Sequence, residues 1–141
     1  MVYADYWIAL QEGHLTYGTF EDYKSIINRH IKPSMKGLRM RDVLPDDITR
    51  MMKEVANFSK SVHDKTYMLA KQMFTNAYDN KLISENPCPK MHAGGRDPVE
   101  RQAIKNEQMT TLIEAVKGTR AYVFCMIGLY SGLRREEILG L

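Results

Sequence analysis

The sequence predicts an all-α protein: a small helical bundle, then a linker, then the first helices of a second unit. Three observations predict it. Apolar residues recur at helical spacing over several long stretches. Strand-like alternation is scarce. A Pro- and Gly-rich stretch without periodicity separates the helical parts. The 141 residues are 44% hydrophobic and 26% charged, a globular balance, and they suffice for one domain or two small ones.

The first periodic stretch is "TFEDYKSIINRHI". Thr19 is its expected N-cap, and Phe20, Tyr23, Ile26, Ile27 and Ile31 form one helix face. Pro33 is expected to stop this helix, and "KPSMKG" to turn the chain. In "RMRDVLPDDITRMMKEVANF", Asp46 or Asp47 caps a second helix whose face is Ile48, Met51, Met52 and Val55. The longest pattern is "SKSVHDKTYMLAKQMFTNAYDNKLI". Ser61 is its expected N-cap with Asp64 as partner, and Val62, Leu69, Met73, Ala77 and Tyr78 line its core side. The methionines read as core filler.

"SENPCPKMHAGGRDPVERQAIK" has three prolines and a Gly-Gly pair, which reads as a linker over 86–105 between a first domain at 1–85 and a second piece at 106–141. In that piece Asn106 is expected to cap "EQMTTLIEAVKG", with Gly118 ending the helix. "TRAYVFCMIGLY" is apolar nearly all round and predicts a buried helix, with a buried strand as the weaker alternative. A last short helix starts near Leu133 or Arg134. It is too short to be stable alone, and its Leu133, Ile138 and Leu141 are expected to dock on "AYVFCMIGLY" or on a second copy of the chain.

The formal net charge is +3, which permits a nucleic-acid partner without requiring one. No apolar run approaches the roughly 20 residues that span a bilayer, so no membrane role is expected. The N-terminal "MVYADYWIALQEGH" lacks the basic start of a signal peptide, which makes the cytoplasm the expected location. Cys88 and Cys125 are far apart and the four histidines lack ligand spacing, so no metal site is expected.

The unusual group is Arg134. A cation at a helix entrance faces the positive end of the helix dipole, whereas Glu136 and Glu137 suit that place. An arginine fork beside free backbone amides suits a phosphate. A solvated arginine paired with a neighbouring glutamate is the plainer reading.

"SGLRREEILGL" resembles the first active-site box of the tyrosine recombinases, the phage-integrase family, at Ser131, Gly132, Leu133, Arg134, Glu137, Ile138 and Leu141. "GTFEDYKSIINRHIKPSMKGLRMRDVLPDDI" resembles that family's SAM-like core-binding domain at Thr19, Tyr23, His30, Ile31, Pro33, Gly37 and Ile48. The stretch from Ser61 to Cys88 is similar to the family's long helix and its exit at Asn80–Pro87.

The resemblance implies an enzyme that breaks and rejoins DNA through a 3′-phosphotyrosyl link, which conserves the bond energy and calls for no metal or other cofactor. It assigns Arg134 to the phosphate, with Glu137 positioning the arginine helix, and leaves Arg135 unassigned. The family's remaining catalytic groups, including its nucleophilic tyrosine, lie downstream of this box. The 141 residues alone are therefore expected to be inactive, an excised fragment or the product of a truncated gene. The implied partners are double-stranded DNA and further recombinase protomers, four in the parent assembly.

The same resemblance sends the long helix into a major groove by its N-terminal end. Lys60, Ser61, His63 and Lys65 then approach phosphates or base edges, with Lys71 farther on. Lys24, Arg29 and His30 are candidates from the first periodic helix. Lys90, Arg96, Arg101 and Lys105 make the linker a basic strap. Two other classes fit parts of the sequence: a helix-turn-helix regulator beginning at "GLRREEILGL", and a helical interaction module without nucleic acid.

Overall fold

The computed structural model describes residues 2–90, 94–100 and 102–141. Those residues are helical with no strand, and they form two compact units, Met1–Val99 and Glu100–Leu141.

The first unit opens with α1, Val2–Leu10, a helix that the reading of the N-terminus above does not include. Ala4, Trp7 and Ile8 are its buried residues, spaced i, i+3, i+4. The Tyr3 hydroxyl donates to Asn76 Oδ1 at 2.7 Å, and Lys32 pairs with Asp5. These contacts tie α1 to the rest of the bundle.

Helix α2, Tyr17–Ile26, is preceded by Thr16 as N-cap, one turn earlier than the expected Thr19. It continues without a break through a wide π turn, Ile27–Ile31, into α3, Lys32–Ser34. Pro33 therefore does not end the helix where expected. Proline lacks an N–H and crowds the carbonyl four residues back, and the wider π turn accommodates both defects. Ile26, Ile27 and Ile31 are buried, and Phe20 and Tyr23 pack beside them.

Helix α4, Pro45–Val55, starts at Pro45, with Leu44 as N-cap in place of either aspartate. Proline at the first helical position has its φ preset, which draws the start forward. Asp47 then serves from the third position, where its carboxylate accepts from the Leu44 N–H at 3.0 Å. Helix α5, Lys60–Asp79, is capped by Ser59, not Ser61; Ser59 Oγ accepts from the Val62 N–H at 3.4 Å.

Ile48 and Met51 of α4 and Leu69, Met73 and Ala77 of α5 meet in the core with Met35. Ala70 and Phe74, adjacent on α5, are equally buried. Tyr78, expected on that face, is 48% exposed, because Ala77 already occupies the inward position and the next residue turns about 100° away.

In the second unit α6, Asn106–Val116, has Lys105 as N-cap, and Gln108 Oε1 accepts from the Lys105 N–H at 3.1 Å. The apolar segment is a helix, α7, Ala121–Ser131, but it is not buried as expected; Val123 and Tyr130 are largely exposed. Short neighbours have too little surface to enclose a helix that is apolar on every side. Gly132 closes α7 at φ +66°, a conformation that glycine adopts without strain. Helix α8, Arg135–Leu139, follows and lies on α7. Ile138 is its buried residue, seated so close to Gly128 that a Cβ there would stand 3.3 Å from Ile138 Cδ1.

Candidate nucleic-acid interface

Sequence and packing together set the entrance of α5 at one corner of the first unit. The Ser59 cap orients the first turn, so Lys60 and Ser61 are exposed. His30 reaches this corner from the π turn; its ring meets the Phe58 ring edge-on at 4.9 Å between centroids. That contact half-buries His30 and holds its imidazole below the ordinary range through desolvation, with a smaller push from Arg29. Arg29 beside it is exposed.

One turn farther along α5, Lys65 pairs with Asp22 of α2. Lys24 of α2 has its Nζ 3.6 Å from Glu21 and 5.8 Å from the centre of the Phe20 ring. The fold thus brings His30, Lys60 and Ser61 to the Phe58 corner, with Arg29 beside His30 and Lys65 held to Asp22 of α2, whereas Lys24, two residues from Asp22, faces about 200° away from it round the helix. Each lysine keeps an acidic neighbour: Glu21, Asp97 and Asp22. These pairs are solvent-exposed and therefore weak, so a phosphate can compete with them.

Three expected residues stand elsewhere. His63 is 3% exposed, which removes it from any direct contact with a duplex in this structure. Its Nδ1 is 3.0 Å from Asp64 Oδ1, and Gly94 lies directly over its Nε2. Its position one turn into α5 looks outward in sequence, but a distant segment covers it. Lys71 is exposed about 16 Å along the helix from Lys60, beside Gln72 and Thr75. Lys90 is exposed at the rim of an apolar cleft whose walls include Met52, Lys53, His63 and Tyr67. Arg101 lies outside the described residues.

The segment leaving α5 is held to it. The Tyr67 hydroxyl donates to the Pro89 carbonyl, and Cys88 is buried deeply enough to push its thiol up to about 12. Farther on, the Lys60 N–H donates to the Arg96 carbonyl at 2.9 Å and the Arg96 N–H to the Phe58 carbonyl at 2.7 Å. Phe58 escaped the reading of the sequence, whereas Arg96 was read as part of a basic strap but not as part of this corner. An aromatic just before the cap was the available signal for Phe58. Nothing in the sequence signals the pairing of Arg96 with Ser59.

The second unit presents a separate charged group. Arg134 is the N-cap of α8 and its side chain is 85% exposed. Glu137 accepts from the Arg134 N–H at 2.7 Å and from its guanidinium at 3.3 Å. Arg135 is taken up by Glu136, whose carboxyl it holds below the usual range. Both guanidinium forks are largely exposed, and that of Arg134 belongs to the residue at the helix entrance itself. Such a fork can grip two oxygens of one phosphate.

Residues 2–56 match the family model for the phage integrase N-terminal SAM-like domain. The match spans α1 to the end of α4 and stops before α5 and before the Arg134 segment. No curated protein and no solved structure matches the chain.

Proposed function

We propose that the chain, whose residues 2–56 match the phage integrase N-terminal SAM-like domain, is the DNA-holding part of a site-specific tyrosine recombinase. The observation that carries this reading is the match itself, over α1 to α4 of the bundle. The corner at the entrance of α5 supports it, since Arg29, His30, Lys60 and Lys65 can donate from cationic groups to phosphate oxygens.

In this reading the bundle lies across a duplex with the entrance of α5 toward a major groove. Lys60 and Lys65 exchange their exposed carboxylate partners for phosphates, and Arg29 and His30 flank them. The released counterions drive binding, so affinity falls steeply with salt.

Arg134 then serves the chemistry. A tyrosine attacks a phosphodiester, its oxygen forms the new P–O bond, and the 5′-oxygen leaves. Negative charge grows on the non-bridging oxygens of the pentacoordinate transition state. The Arg134 guanidinium neutralises it through two parallel hydrogen bonds, which a lysine cannot reproduce. Glu137 acts as a positioning residue, since it holds both ends of Arg134. None of the tyrosines in this chain is assigned as the nucleophile. Further protomers complete the assembly on DNA.

The test is duplex binding by the 141-residue chain, followed by fluorescence anisotropy across a salt series. With about five phosphate contacts, log affinity against log salt has a slope of about −4.5. A slope near zero, or no binding at low salt, overturns the reading.

A further inference from the structure

The Gly94–Gly95 pair stands in a stretch that composition marks as a flexible linker, yet the structure packs it tightly. Gly95 has φ +82°, and a Cβ built there would lie 2.6 Å from the Cα of Lys60, a backbone atom that cannot swing aside. A Cβ on Gly94 would lie 2.5 Å from His63 Nε2. Both glycines therefore allow the chain to approach the first turn of α5 more closely than any other residue would. The next residue completes the attachment. Arg96 exchanges backbone hydrogen bonds with Phe58 and Lys60, at 2.7 and 2.9 Å, in a one-residue parallel bridge to Ser59.

The side chain of Arg96 is fixed as well. Its Nε donates to the Asn57 carbonyl at 2.8 Å, and its outer N–H groups meet no acceptor among the described residues. Lys60 stands next to it, with Asp97 3.8 Å from its Nζ. Ser59, Ser61, Asp64 and Pro98 complete the groove between strap and helix.

We propose that Gly94 and Gly95 latch the segment leaving the bundle onto the entrance of α5, so that Arg96 and Lys60 form one composite surface for the phosphate backbone of a duplex. The latch is a property of the free chain, whereas the ligand rests on the DNA-binding reading above. The strap is not a passive tether. It buries His63, and it adds in Arg96 a second cation beside Lys60 at the first turn of the helix. A guanidinium tethered through Nε has little freedom left to lose on binding, which favours it over a lysine on a flexible stem.

Two measurements on the whole chain test the proposal. Without DNA, Gly95→Ala should speed hydrogen exchange at the Lys60 and Arg96 amides about tenfold or more, with the core amides of α5 unchanged. Arg96→Pro, which removes the N–H bonded to Phe58 together with the side-chain bond to Asn57, both in a peripheral segment, should release the Lys60 amide in the same way, so a misfolded Gly95 variant would not leave the latch undecided. On a mixed-sequence duplex, Gly95→Ala and Arg96→Ala should each weaken binding on the order of fivefold at low salt. Arg96→Ala should do so with the Lys60 amide still protected. Unchanged exchange in both Gly95→Ala and Arg96→Pro overturns the latch. Duplex binding by the unmodified chain that neither Gly95→Ala nor Arg96→Ala affects overturns the composite surface alone. An unmodified chain that binds no duplex overturns the surface together with the DNA-binding reading, while the exchange measurement still decides the latch.

Discussion

Glu137 grips Arg134 twice, accepting from its backbone N–H at 2.7 Å and from its guanidinium at 3.3 Å. The first bond caps α8 and the second aims the side chain. The two roles separate by substitution. Glu137→Gln keeps an acceptor for the N–H but loses the charge. Glu137→Ala loses both. Because a lost cap costs about 1 kcal/mol, exchange at the amides of α8 should quicken roughly fivefold in the alanine variant and much less in the glutamine variant. Equal exchange in both variants would mean that the carboxylate does not cap this helix.

The pair between Lys65 and Asp22 spans α2 and α5 at the proposed duplex face. Both side chains are almost half exposed, so the pair adds little to stability. It does hold Lys65 away from another anion. Lys65→Ala should therefore reduce the steepness of the salt dependence by about 0.9 log unit per log unit of salt. Asp22→Asn should instead strengthen duplex binding by roughly twofold to threefold, since it frees the lysine and removes a negative charge. An anisotropy titration in which Asp22→Asn binds more weakly would place the duplex elsewhere.

The core separates residues that look alike in sequence. Phe74 is fully buried, whereas Tyr78, one turn later on the same helix, is largely outside. Phe74→Ala should cost about 3–5 kcal/mol of unfolding free energy. Tyr78→Ala should stay within about 0.5 kcal/mol. Urea denaturation of the two variants checks this, and comparable losses would contradict the packing of α5.

These comparisons show which parts of the molecule its sequence announces. The faces of α2, α4 and α5 were legible because Ile27, Ile48, Met51, Leu69 and Met73 repeat with the helical period, and burial follows period. Helix starts were less legible. Thr16, Leu44 and Ser59 took the cap positions from Thr19, the two aspartates and Ser61, since several nearby residues could serve and backbone geometry chose among them. Trp7 and its neighbours carried a readable pattern in α1, but nine residues offer little more than two turns of it. His63 was illegible for a different reason. Its sequence neighbours say that it lies on an exposed first turn, and only a glycine thirty-one positions away puts it under cover. Arg134 was legible because charge at a helix entrance is a local property.

His30 gives the chain a pH dependence whose direction follows from its surroundings. Burial against Phe58 disfavours the charged imidazole, and Arg29 adds to this, so the folded value lies below the ordinary one. Unfolding restores a value of about 6.5. Between the two values the unfolded chain binds the extra proton, so stability rises with pH in that window. It is lost as pH falls from about 6.5 toward the folded value, and below that value both states are protonated and the loss stops growing. His30→Gln has no such proton. The stability of the unmodified chain relative to that variant should therefore shrink as pH is lowered from about 7.5 to about 5.5. Bound phosphates act in the opposite sense, since they favour the imidazolium. Duplex affinity should accordingly rise over the same acid range in the unmodified chain and rise less in His30→Gln. Thermal unfolding and anisotropy at matched ionic strength measure the two effects. A relative stability that grows toward acid pH would show that His30 is not shielded by Phe58.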